Sequence, residues 1–476
     1  MRRDGAIRAS NLGPMTPLAY WIGRPARTVI AVASLAVACG SCGRSGDQDQ
    51  VATPALRGSN APLTIAATGD SLIVKPWPEA GKDTGFDDVV ALLQRASLAI
   101  TNLEQVLRDP PSSARPNGWP VGSLSSARAL QHSGFTVVTR ANNHAADEGE
   151  NGLRATSDVL GKAGLLHAGA GNDLDQARAP VVVGDSPRRV AVVAVTASAT
   201  DEAHATRTRD EIRGRPGVSA LRYSAEITAD ALTYAALAQL PQAEHASGDP
   251  ASSFRLAGRL VKRGSATAVN LIADQRDVDD ILNTITAARA RADVVVVSVH
   301  SHEPGNQSDA PAAFVREFAH QAIDRGATII TGSGPRQLRG IEIYKGGVIL
   351  YSLGNFAFDA ATIPLNAGDD YDANTNLIEQ AIGSSAPGAI RALPSFDEPI
   401  WWESVIATLT FDGSAVAGIR LHPIDLGTQL SVSERGRPRL ATSTRGLEIL
   451  QRLAELSKAY GTTMRIENGV GVIDRP

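Results

Sequence analysis

The chain has 476 residues, 43% of them hydrophobic, and a formal net charge of −4. That length is ample for a packed core and exceeds one small domain, and an ordinary apolar fraction excludes a wholly disordered chain. Asp plus Glu (50) outnumber Lys plus Arg (46), which excludes nucleic-acid binding through bulk charge. Aromatic residues are only 4%, so an α/β core of aliphatic side chains is favoured over an aromatic-rich sandwich. The two cysteines, Cys39 and Cys42, both lie early. The folded part therefore has neither an internal disulfide nor a thiolate metal cluster.

Arg2, Arg3, Arg8, Arg24 and Arg27 precede an apolar run over residues 28–38 that ends at Cys39. A basic region, a short apolar region and small residues before a cleavage point read as a secretory signal over residues 1–38. The run falls short of the ~20 apolar residues that span a bilayer. Ala36-Val37-Ala38-Cys39 resembles a bacterial lipobox, which makes Cys39 the expected site of lipidation and the expected contact with a membrane. The alternative is plain cleavage and free export. Residues 1–38 carry a net +4, so the remainder carries −8. Residues 39–62, small and polar, read as a tether.

From residue 63 the pattern alternates strands and helices. Strands are expected at 63–68, 98–101, 136–139, near 166–167, and at 189–196, 293–299 and 328–330. Helices are expected at 86–96, 127–134, 152–163, 312–325 and 447–459. Residues 200–290 are the hardest to decode and read as an insertion, with helical stretches at 227–240 and 278–292. Residues 341–351 read as a hairpin around a Gly-rich turn. Residues 360–400 read as a long surface insertion, and 404–411 and 416–421 as antiparallel strands. This gives a main domain over 63–425 and a C-terminal extension over 426–476 with a closing helix.

Polar residues gather where the apolar strands end: Asp70; Asn102 and Glu104; Asn142, Asn143 and His144; His300, His302 and Glu303; Ser333 and Arg336. In α/β sheets a site assembles at the carboxyl ends of strands. Oxygen and imidazole groups from several strand ends could hold one or two divalent cations and activate water. Taken singly, each of these residues is as well explained by a turn, a cap or a satisfied core polar group.

These stretches also resemble a family. Gly69-Asp70, Asn102-Leu103-Glu104, the run from Ala141 through Asn143-His144 to Asp147 and Gly149, Gly169-Ala170-Gly171, and His300-Ser301-His302-Glu303 are similar to the CapA group. So, above all, is the run from Gly332 to Tyr351-Ser352-Leu353-Gly354-Asn355-Phe356. CapA proteins act in capsule or poly-γ-glutamate synthesis, and their domain is similar to calcineurin-like metallophosphatases. The resemblance covers roughly residues 63–425. It implies a four-layer α/β/β/α sandwich and a centre for divalent cations such as Mn, Fe or Zn. Asp70 would serve the first cation, Glu104 would bridge, and Asn143 and His300 would serve the second, with His302 as an extra ligand. His144 would donate a proton to a leaving oxygen, with Asp147 orienting it; Asp147 reads equally as a helix N-terminal carboxylate. The implied partners are an anionic polymer or an envelope-synthesis complex, and the implied location is the cell envelope.

The sequence departs from the family at one place. Where the family carries a Gly-His-Gly-Pro-His type segment, this chain reads Gly332-Ser333-Gly334-Pro335-Arg336. Ser is a weak neutral ligand and a guanidinium cannot ligate. Arg336 brings a planar fork suited to carboxylates, so it is expected to take the place of the first cation and leave hydrolysis weak or absent. A non-catalytic, lipid-anchored scaffold or polymer-binding subunit is the competing reading. Gly69-Asp70-Ser71-Leu72 also matches the opening block of GDSL esterases, but the required Asp-x-x-His pair occurs only mid-chain, at Asp201 and His204. Tyr351, Asn355 and the Trp401-Trp402 pair read as structural. Arg255, Arg259, Lys262 and Arg263 read as a solvated basic face that could meet an anionic polymer.

Overall fold

The computed structural model describes residues 54–58, 61–74, 77, 81–110, 121–244, 253–359, 398–427, 429–430 and 435–475. The expected signal segment, Cys39, most of the tether and nearly all of the 360–400 insertion lie outside the described residues.

The fold is mixed α/β with two large sheets. The first runs, edge to edge, Arg465–Glu467, Val470–Asp474, Ala415–Asp425, Glu403–Asp412, Thr64–Leu72, Leu98–Leu103, Val137–Thr139 and Leu166–Ala168. Its second half is parallel, from Thr64–Leu72 through Leu166–Ala168. The second sheet runs Leu338–Tyr344, Gly347–Leu353, Ile329–Ser333, Val294–His300, Val190–Thr196 and Val181–Val183. Its four central strands are parallel. These strands read as near-continuous apolar runs because both faces are covered.

Alternate residues show what covers them. Ile65 and Ala67 of the first sheet share one core with Val192, Ala194, Val294 and Val296 of the second. The opposite residues, Ala66 and Ala99, pack on Val89 and Leu93 of the helix Thr84–Arg95. Likewise Val193, Val295 and Val297 pack on the helices Gln275–Arg289 and Ala313–Asp324.

Two expectations are corrected by position. The stretch 227–240 is not one helix. Tyr223–Ala229 is a strand, and the Asp230 side chain accepts from the Leu232 and Thr233 N–H groups, so the helix Ala231–Ala238 begins only after it. Within the 200–290 region the chain builds a separate five-stranded sheet: Ala243–Glu244, Ser253–Leu256, Arg259–Arg263, Tyr223–Ala229 and Ala268–Ala273. The C-terminal stretch is also more than an appendage. Val470–Asp474 pairs antiparallel with Ala415–Asp425 inside the first sheet, and Ser443–Lys458 packs on Leu338–Tyr344.

The hairpin forms as read. Leu338–Tyr344 and Gly347–Leu353 pair antiparallel, joined by Lys345 and Gly346 with φ of +49° and +80°. Both turn residues occupy the left-handed region that matches the strand twist. Trp401 and Trp402 are buried, so the pair packs as core. Tyr351 donates to Glu342, and Asn355 donates to the Trp401 and Arg336 carbonyls; both serve the scaffold.

Candidate functional site

The parallel strands of both sheets deliver their last residues to one buried place. Asp70 stands near the end of Thr64–Leu72, in register with Asn102 of the neighbouring strand. Glu104 follows directly, and its backbone N–H donates to the Ser71 carbonyl. Asn142, Asn143 and His144 follow Val137–Thr139. From the second sheet, His300 and Ser333 are the last residues of adjacent strands and stand in register with each other.

Hydrogen bonds tie the two sheets together here. Asp70 accepts from Asn102 Nδ2 at 2.7 Å and, across the interface, from the Gly334 N–H at 2.9 Å. His300 Nδ1 faces Ser333 Oγ (3.0 Å), Asn102 Nδ2 (3.2 Å) and Asp70 Oδ1 (3.6 Å). Burial acts to raise the Asp70 carboxyl, but the bonds and charges of His300, Arg336 and Asn102 outweigh it and hold the group below the usual carboxylate range.

The other ring nitrogen of His300 faces a different set. His300 Nε2 is 2.8 Å from Asn143 Oδ1 and 3.3 Å from His302 Nε2. His302 Nδ1–H donates to Asn306 Oδ1 at 2.7 Å, which leaves its Nε2 lone pair facing His300. Burial, together with the charges of His300 and Arg336, pushes the His302 imidazole down to about 3, so it is neutral at pH 7. Ligand atoms of Glu104, His300 and His302 lie within 4.8 Å of one another.

Arg336 decides the electrostatics. Its Nη1 and Nη2 donate to Glu104 Oε2 and Oε1 at 3.0 and 2.6 Å, a two-pronged pair between residues that are 3% and 0% exposed. The guanidinium also lies over the Phe358 ring, 5.1 Å from its centroid. Arg336 adopts φ +61°, a left-handed conformation that costs a non-glycine residue about 1–2 kcal/mol. The turn Gly334–Arg336 thus bends the chain so that the arginine points back at Glu104. Burial raises the Glu104 carboxyl, and Asp70 adds to that, while Arg336 opposes it.

His144 completes the cluster. Its Nδ1–H donates to Asp147 Oδ2 at 2.8 Å, and its Nε2 points to Glu104 Oε1 at 3.8 Å. The side chain of Asn142 holds the neighbouring loops, donating to Asn102 Oδ1 and the Leu103 carbonyl and accepting from the His144 N–H.

The residues picked out from sequence therefore come together, but on two sides of His300. Asp70 and Ser333 lie at its Nδ1; Asn143, His302 and Glu104 lie at its Nε2. A two-cation centre does not fit this donor set. Both oxygens of the would-be bridging carboxylate carry the Arg336 fork, and Ser333 Oγ is bonded to His300. One cation fits better, among Glu104, His300, His302 and the Asn143 oxygen.

Sequence reasoning missed Asn306 and Ser198. Ser198 Oγ accepts from the His302 N–H (2.8 Å) and donates to Glu303 (2.8 Å). These contacts join residues about a hundred positions apart and leave no local sequence signal. The esterase reading finds no support. Ser71 Oγ is buried against Thr101 Oγ1 at 2.7 Å, while His204 Nε2 meets the Ala199 carbonyl.

The chain is similar to several known proteins. The sequence is 34% identical over 431 residues to an uncharacterized protein, y4sH, of Sinorhizobium fredii, covering 86% of this chain and 93% of that one. It is 27% identical over 318 residues to the capsule biosynthesis protein CapA of Bacillus anthracis, covering 65% and 63% of the two chains. It is 32% identical over 262 residues to a probable polyglutamine synthesis accessory protein of Mycobacterium tuberculosis, covering 54% and 53%. The profile of the bacterial capsule synthesis protein family PGA_cap matches residues 64–360, and the chain belongs to that family.

Proposed function

We propose that this protein is an exported accessory factor of capsule or poly-γ-glutamate-type polymer synthesis whose cation centre is degenerate. The arrangement of shared and outer cores supports reading the fold as an α/β/β/α sandwich of the metallophosphatase type. Within it, the Arg336 guanidinium takes the place of the first cation. At most one divalent cation, Mn, Fe or Zn, binds through Glu104, His300, His302 and Asn143. His144, oriented by Asp147, remains placed to donate a proton to a leaving oxygen near that cation. The reading includes lipidation at Cys39 and attachment to the envelope membrane.

The two-pronged Arg336–Glu104 pair carries this reading. A carboxylate whose two oxygens already meet a fixed cation is a poor bridge for two more. The same observation favours binding of the anionic polymer, or of an envelope-synthesis complex, over its rapid hydrolysis. Metal content by plasma mass spectrometry, after incubation with Mn²⁺, Fe²⁺ or Zn²⁺, tests it. One equivalent or less is expected. Two equivalents in the unaltered protein would overturn the reading. The Ser333→His/Arg336→His double variant should take up more metal than the parent, and no rise would sink the role given to Arg336.

A further inference from the structure

Charged groups outside the Glu104 centre concentrate around the loop over residues 201–217. Arg215 fixes this loop internally, donating through Nη2 to the Asp201 and His204 carbonyls at 2.6 and 3.0 Å. Arg207 fixes it externally, donating to Asp175 of the short helix Leu174–Arg178 and to Asp280 of the helix Gln275–Arg289. Between loop and helices lies a cavity of about 440 Å³. Its lining includes six arginines, Arg178, Arg207, Arg209, Arg215, Arg222 and Arg276, against three aspartates.

The pairing does not consume the positive charge. Arg178, Arg207 and Arg222 pair with Asp175, Asp277 and Asp280, and Arg276 pairs with Asp274, which leaves Arg209 and Arg215 without a carboxylate partner among the described residues. Arg215 spends its guanidinium on neutral carbonyls. Arg209 is exposed and makes no side-chain bond among the described residues. Arg178 is 5% exposed, and its Nε has no hydrogen-bond partner. A buried guanidinium N–H without an acceptor costs free energy.

A second cavity, of about 570 Å³, shares Asp201, His204 and Arg222 with the first. It also reaches Arg259 of the five-stranded sheet and, at its far end, Ser198 and Glu303. Glu303 adjoins His302, and Ser198 binds the His302 backbone. The two spaces thus share a wall, and the second borders residues that adjoin the Glu104 centre.

We propose that the arginine-lined cavity is a binding subsite for an oligoanion, a chain whose oxyanions recur along its length, which runs past Arg222 and Arg259 toward the Glu104 centre. The proposal rests on the reading of that centre as one that meets an anionic polymer. Carboxylates and phosphates share the relevant chemistry, since a guanidinium fork accepts either in a two-pronged geometry.

Equilibrium titration of the purified protein with two probes tests this: a fluorescent γ-linked glutamate decamer and inorganic tripolyphosphate. At least one should bind, more weakly at high salt. Arg209→Glu should weaken that binding about tenfold or more, because it reverses a charge inside the subsite without breaking a bond of the fold. Arg276→Ala, a second exposed lining position, should weaken it severalfold. Arg128→Glu, the same charge change on the exposed face of the helix Leu124–His132, should leave it within about twofold. The stronger probe identifies the oxyanion. Failure of both probes to bind, or equal weakening by Arg209→Glu and Arg128→Glu, would overturn the subsite. Metal content reports on the Glu104 centre alone. Loss of probe binding with the expected metal content therefore rejects the subsite, while intact probe binding with unexpected metal content rejects the centre.

Discussion

A carboxylate with no exposure needs a counter-charge, and Glu104 finds it in Arg336. Breaking such a pair from one side leaves a buried charge uncompensated and costs about 3–5 kcal/mol. Arg336→Met should therefore lower the urea midpoint markedly at pH 8. The loss should shrink at pH 5. Without the guanidinium the folded-state carboxyl, already raised by burial, rises further above its unfolded value, so protonation on acidification stabilises the variant's fold. Adding Glu104→Gln to Arg336→Met should recover part of the loss, which unfolding of the three variants side by side would measure. That the arginine would meet a carboxylate of the site was legible in the sequence, because a fixed cation replacing a ligand among carboxylates has few other places to go; that it would take Glu104 rather than Asp70 was not. Ser198 was not legible, because a separate loop brings it to His302, and Asn306, four residues beyond His302, was missed because an Asn in a loop carries no signal of which side chain it meets.

Strands carry the site, and two glycines let them do so. A Cβ on Gly69 would stand 1.8 Å from the Gly354 carbonyl oxygen, and one on Gly332 would stand 2.1 Å from that of Tyr351. The Asp70 N–H donates to Gly354 at that same approach, so crowding it would displace the carboxylate as well. Gly69→Ala and Gly332→Ala should each lower the thermal midpoint strongly or abolish soluble expression. Gly161→Ala, a helical position with open space around it, should be neutral or stabilising by up to about 1 kcal/mol, as differential scanning fluorimetry would show. The strands that carry these glycines were legible from the short apolar stretches before them, over residues 63–67 and at Ile329 and Ile330. The stretch 227–240 misled because Ile227, Ala231, Tyr234 and Ala238 also fit a helical period. A single Asp230 cap, invisible to periodicity, separates strand from helix there.

Across the whole molecule, acidification should weaken the fold. Burial holds His167 and His422 down to about 4, and His302 lower still, against an ordinary value of 6.5. Between pH 6.5 and about 4 the unfolded chain binds protons that the folded one refuses, so stability falls as pH falls through that window. Each group contributes up to about 1.4 kcal/mol per pH unit there. Glu104, raised in the fold, works in the opposite sense, and Asp70, lowered, adds its loss only as pH drops through the carboxylate range. Urea midpoints at pH 7 and pH 5 should differ accordingly, and His422→Gln should flatten the dependence. An unchanged slope would mean that His422 is protonated within the fold.

The Arg336–Glu104 pair also bears on how the protein relates to its surroundings. Proteins whose core carboxylates rely on a captured ion are hostage to the supply of that ion and to anything that sequesters it. Here the balancing charge is part of the polypeptide and is delivered with synthesis. Chelation should therefore leave the folded state standing: thermal midpoints with and without EDTA should agree within about a degree, even where a loosely held ion is stripped from His300 and His302. A protein built this way would keep its shape in metal-starved surroundings, where one dependent on captured ions would not.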